Sequence, residues 1–337
     1  MRVLIVKIGA VGDVIMAMSM LEPLYRKDPN ARITWVCGKA VEPLLRATGR
    51  VQELIPVDEA RLLKGSAPQK ILALLSVWLK LRGRHFDLVL TGHSDPRYRW
   101  LGLACRAGER RSFKPVEEKA FPVPGRYHGH EYARLARGGE VPYEPAGNGL
   151  VLQPPLPAEI QAALPKAGGP LVALAPGGAR NVMRDDALRR WPLDHYVRLA
   201  SFLIGEGMSV VLTGAPSDEW ARKPFDGLPV IDLVGKTSLT DLAALYGACR
   251  LLITHDSGPL HLAILAGTST LSLFGPTRPE EKVPSNPKNR VIWGGEQLAC
   301  RPCYDGKNYA VCSSNDCLKT VTPEMVLGEA LGMIGKI

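Results

Sequence analysis

An α/β fold of two doubly wound, parallel-sheet domains facing a central cleft is predicted by three observations. Short apolar strands alternate with helical segments in each half of the 337-residue sequence, polar glycine-containing loops follow several strands, and a Pro/Gly-rich stretch separates the halves. The domains are expected at 1–155 and 171–337, joined by a linker over 156–170.

In the first half, Val3–Ile8 is a short apolar run, followed by a Gly-containing loop and a helix from Val14 to about Tyr25. Arg32–Cys37 and Asp87–Thr91 read as further strands. The helical segment Ile71–Leu81 between them is expected to pack on the sheet, a membrane surface being the other place for so apolar a helix. The stretch QPPLPAEIQAALPKAGGP then breaks the pattern as a linker does. In the second half strands are expected at Leu171–Ala175, Val210–Thr213, Leu251–Thr254 and Thr270–Phe274. Helices are expected over Asp194–Glu206, from Ser238 or Thr240 to Ala248, and over Gly258–Ala266. Alternation of this kind implies right-handed crossovers, and it suits dehydrogenases and periplasmic binding proteins as well.

Hydrophobic residues make up 46% and charged residues 22% of the chain, which excludes a disordered one. No run reaches the roughly 18 apolar residues of a membrane span. The opening MRVLIVKIGAVGD carries Lys7 and Asp13 inside its apolar part, so it reads as a strand and loop rather than a leader, and the expected location is cytoplasmic. The net charge of +9 lies wholly in residues 1–168, with 25 Lys+Arg against 16 Asp+Glu. A basic half suits an anionic partner or a merely soluble surface. Its densest patch holds Arg97, Arg99, Arg106, Arg110, Arg111 and Lys114, without the spacing of any nucleic-acid module, so nucleic acid is not expected. Cys37, Cys105 and Cys249 sit in apolar segments as core residues. The other four form Cys300-x2-Cys303-x8-Cys312-x4-Cys317, thiols near enough in sequence to close a zinc site. The spacing matches no standard zinc module, and the expectation is free or adventitiously oxidised thiols without metal.

Three segments carry chemistry. Thr254-His-Asp-Ser-Gly-Pro-Leu-His-Leu-Ala263 leaves a strand and enters a helix, with Pro259 in the first turn where a missing N–H costs little. Asp256 and Ser257 suit a helix cap, but capping does not require His261; a diphosphate on the N–H groups of Ser257, Gly258 and their neighbours would use both features. The second segment, Ala175-Pro-Gly-Gly-Ala-Arg, is followed by Arg189-Arg190-Trp191-Pro192, where paired arginines offer bidentate donors for phosphate or form a solvated loop. In the third, Gly9-Ala-Val-Gly-Asp13 follows the first strand and is neither GxGxxG nor a Walker loop. Asp13 there suits a general base on an incoming hydroxyl, and equally a carboxylate favouring the helix dipole.

Together these segments identify a resemblance to glycosyltransferase family 9, the ADP-heptose:lipopolysaccharide heptosyltransferases. It runs through VLIVKIGAVGDVI, PGG, RRWP, LTGAPSDE, LVGKTSLTDLAALYGACRLLITHDSGPLHLA and LFGPT. The resemblance implies a GT-B fold of two Rossmann-like domains, an ADP-sugar donor in the C-terminal domain and an anionic lipid-linked glycan acceptor at the N-terminal one. It implies Asp13 as the catalytic carboxylate of an inverting transfer, with Asp256, Ser257, Gly258, Pro259, His261 and Arg189 at the donor phosphates. Thr213, Gly214 and Glu219 are implied nearer the donor ribose. Lys7, Arg97, Arg99, Arg110 and Arg111 are the acceptor-binding candidates. No cofactor is expected, and the cytoplasmic face of the inner membrane is a candidate location. His255 departs from the family, where asparagine is frequent, and Gly9-Ala10 replaces hydroxyl residues of some members. A nucleotide-sugar epimerase and a non-catalytic nucleotide-sugar-binding protein are the alternative readings.

Overall fold

The computed structural model describes residues 1–113, 122–138, 150–165, 168–305 and 308–335. Lys114 of the basic patch lies outside them. By their contacts the residues divide into two units, one of Met1–Leu150 with Asn181–Met183, the other of Val151–Arg180 with Arg184–Ile337. The stretch expected as a linker thus falls in the second unit. Its helix, Ala158–Ala163, is preceded by Leu152, whose N–H donates to the carbonyl of Leu265, 2.8 Å away.

The first unit holds a parallel sheet of β1 (Arg2–Val6), β2 (Arg32–Gly38), β3 (Glu53–Val57), β4 (His85–Thr91) and β5 (Arg106–Ser112), in the order β3-β2-β1-β4-β5. Val3, Leu4, Ile5 and Val6 are wholly buried, as a central strand covered on both faces requires. Strand order reverses between β1 and β4, and such switch points open a crevice at the carboxyl ends of the strands. The helix expected from Val14 to Tyr25 is broken into Val11–Ala17, a tight turn at Met18–Met20, and Leu21–Lys27. Pro23 is the cause: it has no N–H, and its ring clashes with the carbonyl four residues back. Part of the basic patch, Arg106–Ser112, is the edge strand β5. Its charges protect an open edge from further pairing.

The second unit holds β6 (Leu171–Ala175), β7 (Ser209–Leu212), β8 (Ile231–Asp232), β9 (Leu251–His255), β10 (Ser269–Phe274) and β11 (Asn289–Trp293), ordered β11-β10-β9-β6-β7-β8 and again all parallel. Here the switch lies between β6 and β9, the two strands that lead into the expected phosphate segments. A core of Val172, Leu174, Tyr196, Leu199, Leu251 and Ile253 with their neighbours fixes those strand ends.

Candidate active site

At the first switch point, Asp13 stands in the first turn of the helix Val11–Ala17, its side chain 40% exposed. Lys7, from the end of β1, donates through Nζ to Asp13 Oδ2 at 3.3 Å. Lys7 itself is buried. Burial alone would lower its proton affinity, but Asp13 and then Tyr132 more than offset this and hold the ammonium above its ordinary value. Burial pushes the Tyr132 phenol up to about 12, and its ring faces Lys7 Nζ at 5.7 Å.

Two further groups complete the cluster, and neither is apparent in the sequence. His93, just beyond β4, accepts from the Ile8 N–H at 3.1 Å and stacks on Tyr98 with ring centres 3.7 Å apart. Burial, with Lys7 adding to it, drives the imidazole well below its ordinary range, so it is neutral. Glu59 lies against the Gly9 loop, where a Cβ on Gly9 or Gly38 would overlap its carboxylate. Burial, opposed by Lys7, raises Glu59 to about 7.

The remaining acceptor candidates are turned elsewhere. Arg110 donates to the carbonyls of Gly102 at 2.8 Å and Cys105 at 2.6 Å, and Arg111 to the Ala136 carbonyl at 2.5 Å, so both staple β5 to its surroundings. Arg97 is paired with Asp95 at 2.6 Å, and Arg99 reaches the Phe113 carbonyl at 3.3 Å. Of the five, the structure brings Lys7 alone to Asp13.

At the second switch point the loops after β6 and β9 meet. Gly178, with φ +79°, has backbone that favours glycine, and a Cβ there would come within 3.2 Å of the Ser257 Cβ. Ser257 precedes the nine-residue helix Gly258–Ala266 but makes no side-chain cap; its hydroxyl lies 3.3 Å from that of Thr254. The helix start therefore presents N–H groups and the positive dipole end without a side-chain cap. Pro259 is half-buried in the first turn, and His261 is buried one turn in.

Arg189 donates to Asp186 at 2.9 Å and to Asp256 at 3.4 Å. Burial would lower its proton affinity; Asp256, Tyr309 and Asp186 outweigh it. Its Nε is buried without a hydrogen-bond partner among the described residues. Asp256 is buried and accepts the Thr277 hydroxyl at 2.8 Å. Arg190 acts differently from its neighbour, donating to the Gly178 carbonyl at 3.0 Å and so holding the loop. His255 is fully buried, Nδ1 3.0 Å from the Tyr196 hydroxyl, and burial with the Arg189 charge lowers it to about 3.

Near the expected ribose position two acidic neighbours differ in burial. Glu219 is exposed, whereas Asp218 is buried and accepts from the Gly178 N–H at 3.0 Å and the Ala215 N–H at 2.9 Å. Asp218 thus ties two loops together, and the run LTGAPSDE could have revealed it only through side-chain direction. Thr213 is fully buried, its hydroxyl engaged with the Leu174 carbonyl at 3.2 Å and the Tyr246 hydroxyl at 2.9 Å, so it serves the core. Gly214 packs on Asp218. Cys300, Cys303, Cys312 and Cys317 are free thiols, and no group of three or more His, Cys, Asp or Glu side chains suited to a metal occurs among the described residues.

Comparison with known proteins shows the family and the fold. The family model for glycosyltransferase family 9 (heptosyltransferase) matches residues 140–311. Lipooligosaccharide heptosyltransferase 2 of Haemophilus influenzae is 25% identical over 362 residues, covering 100% of both chains. Lipopolysaccharide heptosyltransferase 2 of Salmonella typhimurium is 27% identical, over 87% of this chain and 88% of its own. Among solved structures, a family 9 glycosyl transferase of Veillonella parvula superposes with a TM-score of 0.76 at 22% identity, covering 100% of this chain and 97% of its own. The E. coli ADP-heptose heptosyltransferase II gives 0.72 at 22%, with coverage of 100% and 99%. The fold is GT-B, and the chain belongs to glycosyltransferase family 9 and is a glycosyltransferase.

Proposed function

We propose that this glycosyltransferase moves a sugar, heptose in the first instance, from an ADP-sugar to the lipopolysaccharide core or a related anionic lipid-linked glycan, with inversion at the anomeric carbon. The observation that carries the reading is the half-exposed Asp13 carboxylate at the first switch point, oriented by the buried Lys7. In the reaction the acceptor oxygen bonds to the anomeric carbon as the bond from that carbon to the diphosphate breaks. Asp13 takes the hydroxyl proton, and the electron pair leaves on the diphosphate oxygen. Arg189 and the N–H groups at the start of Gly258–Ala266 meet the negative charge that develops there, so the scheme requires no cofactor. Two named relatives are lipooligosaccharide and lipopolysaccharide heptosyltransferases, and a related E. coli heptosyltransferase was solved with ADP-2-deoxy-2-fluoro heptose, which supports the choice of donor.

A lipid-linked acceptor places the work at the cytoplasmic face of the inner membrane. Among the described residues no helix is long and apolar enough to cross a membrane.

The test is nucleotide linkage. ADP should raise the melting temperature more than UDP or GDP at equal concentration, because a ligand that binds only the folded state stabilises it. Arg189→Ala should weaken ADP about 10- to 100-fold, the size of a lost charge-assisted hydrogen bond, and leave adenosine nearly unchanged. Equal shifts with all three nucleotides would overturn the donor assignment.

A further inference from the structure

The helix Ala67–Leu81 has two unlike faces. Val77 and Leu81 are buried in the core of the first unit, beside Phe86 and Val89. On the other flank Ile71, Leu72, Leu75 and Leu79 are 56%, 66%, 42% and 73% exposed. Their spacing of three, four and seven residues gathers them into one stripe. Next to the helix, Trp100 and Leu103 are each 55% exposed, and the Trp78 indole N–H donates to the Trp100 carbonyl at 2.7 Å. Half of the large exposed apolar side chains of the described residues therefore belong to this one region, which scattered surface hydrophobics do not do.

The charge carried by this stretch of chain has one sign. Between Ala60 and His85 there are six Lys and Arg and no Asp or Glu. Arg61 and Arg84 are paired with Asp58 and Glu53, while Lys64, Lys70, Lys80 and Arg82 stand exposed along the helix and at its ends. An apolar stripe bordered by cations fits the boundary between acyl chains and anionic headgroups, where apolar groups enter and ammonium groups meet phosphate. A second copy of the chain would set the same cations against one another.

We propose that the exposed face of Ala67–Leu81, with Trp100 and Leu103, seats the protein on an anionic lipid bilayer. The apolar side chains enter the headgroup boundary while Lys64, Lys70, Lys80 and Arg82 contact lipid phosphates. The proposal gives the lipid-linked acceptor reading its docking surface and rests on that reading for its purpose, since both partners are then confined to one plane.

The experiment is co-sedimentation of the full chain with vesicles of phosphatidylglycerol and phosphatidylethanolamine, and with vesicles of phosphatidylcholine alone. Binding should favour the anionic vesicles and fall as salt rises. Leu72→Glu/Leu79→Glu should lower binding at least about tenfold, and Lys70→Glu/Lys80→Glu should lower it on anionic vesicles, both with unchanged melting temperature. Both should transfer sugar to a deacylated, soluble core acceptor at the unmodified rate. Undiminished vesicle binding by both variants, or none by the unmodified protein, would overturn the docking surface. So would a dimer of the unmodified protein that the leucine variant dissociates, or capture by a soluble acidic protein in place of vesicles. Vesicle binding that behaves as expected, without transfer to the soluble acceptor by any form, would sustain the surface and count against the acceptor reading.

Discussion

Asp13 and Asp256 hold the same station in their two units, each following a central strand at a switch point and leading into a helix, yet their surroundings differ. Both accept from a cation at nearly the same distance, Asp13 from Lys7 at 3.3 Å and Asp256 from Arg189 at 3.4 Å. The Asp13 side chain is 40% exposed and that of Asp256 only 3%. Asp256 also accepts the Thr277 hydroxyl at 2.8 Å, and Arg189, Lys282 and His261 overcome the effect of burial to hold its carboxyl below the ordinary range. An enclosed carboxylate that accepts from both an arginine and a threonine is a fixed charge that orients the arginine. A half-open one beside a buried lysine is able to receive a proton from a substrate.

The largest expected effect separates the two by rate. Asp13→Asn should slow transfer about 10²- to 10⁴-fold, the usual worth of general-base assistance, while the amide oxygen still accepts from Lys7 and ADP affinity stays put. A variant with near-normal transfer would move the base elsewhere. Asp256→Ala should act on the fold instead, because it strips a buried guanidinium of one partner; a loss of about 3 kcal/mol in unfolding free energy is expected by denaturant titration. If the two substitutions gave the same pattern of rate and stability, the distinction drawn between the carboxylates would fail.

A smaller effect concerns Glu59, the other carboxyl of the first site. Its folded value of about 7 stands above the ordinary 4.5. Below 4.5 both folded and unfolded states hold the proton. Between 4.5 and 7 the folded state holds more, so this group's contribution to stability falls as pH rises through that window and is fully lost above it. Glu59→Gln should flatten that fall, seen as a rise in melting temperature relative to the unmodified protein that appears between about pH 5 and pH 8. Parallel curves would remove Glu59 from the electrostatics of the site.

What the sequence disclosed follows from how locally each feature is encoded. The run Thr254–Ala263 carries its strand end, turn, helix start and polar groups within ten positions, so this strand–turn–helix segment is readable before folding. Buried strands such as Val3–Val6 and Leu251–Thr254 announce themselves as apolar runs for the same reason. Glu59, His93 and Tyr132 reach Lys7 from distant parts of the chain, and only the pairing of β1 with β4 and the packing of separate helices brings them there. The strand β5, RAGERRS, lies at a sheet edge and lacks the apolar alternation that marks a strand, so Arg110 and Arg111 pass for a surface patch. Asp218 and Glu219 are neighbours of like chemistry, and which one turns inward is decided by the tight turn Pro216–Ala221 rather than by composition. The helix Ala67–Leu81 is apolar on more than one flank, and periodicity alone cannot say which flank the core takes.

The central claim is transfer from an ADP-sugar to a glycan, and the mass and anomeric configuration of the product test it most directly. Incubated with ADP-, UDP- and GDP-sugars and a deacylated lipopolysaccharide core, the protein should add one heptose from ADP-heptose, with the configuration opposite to that of the donor. Asp13→Asn should form the same product far more slowly. A product from UDP- or GDP-sugars in preference, retention of configuration, or turnover of the donor to an epimer without acceptor would contradict the account.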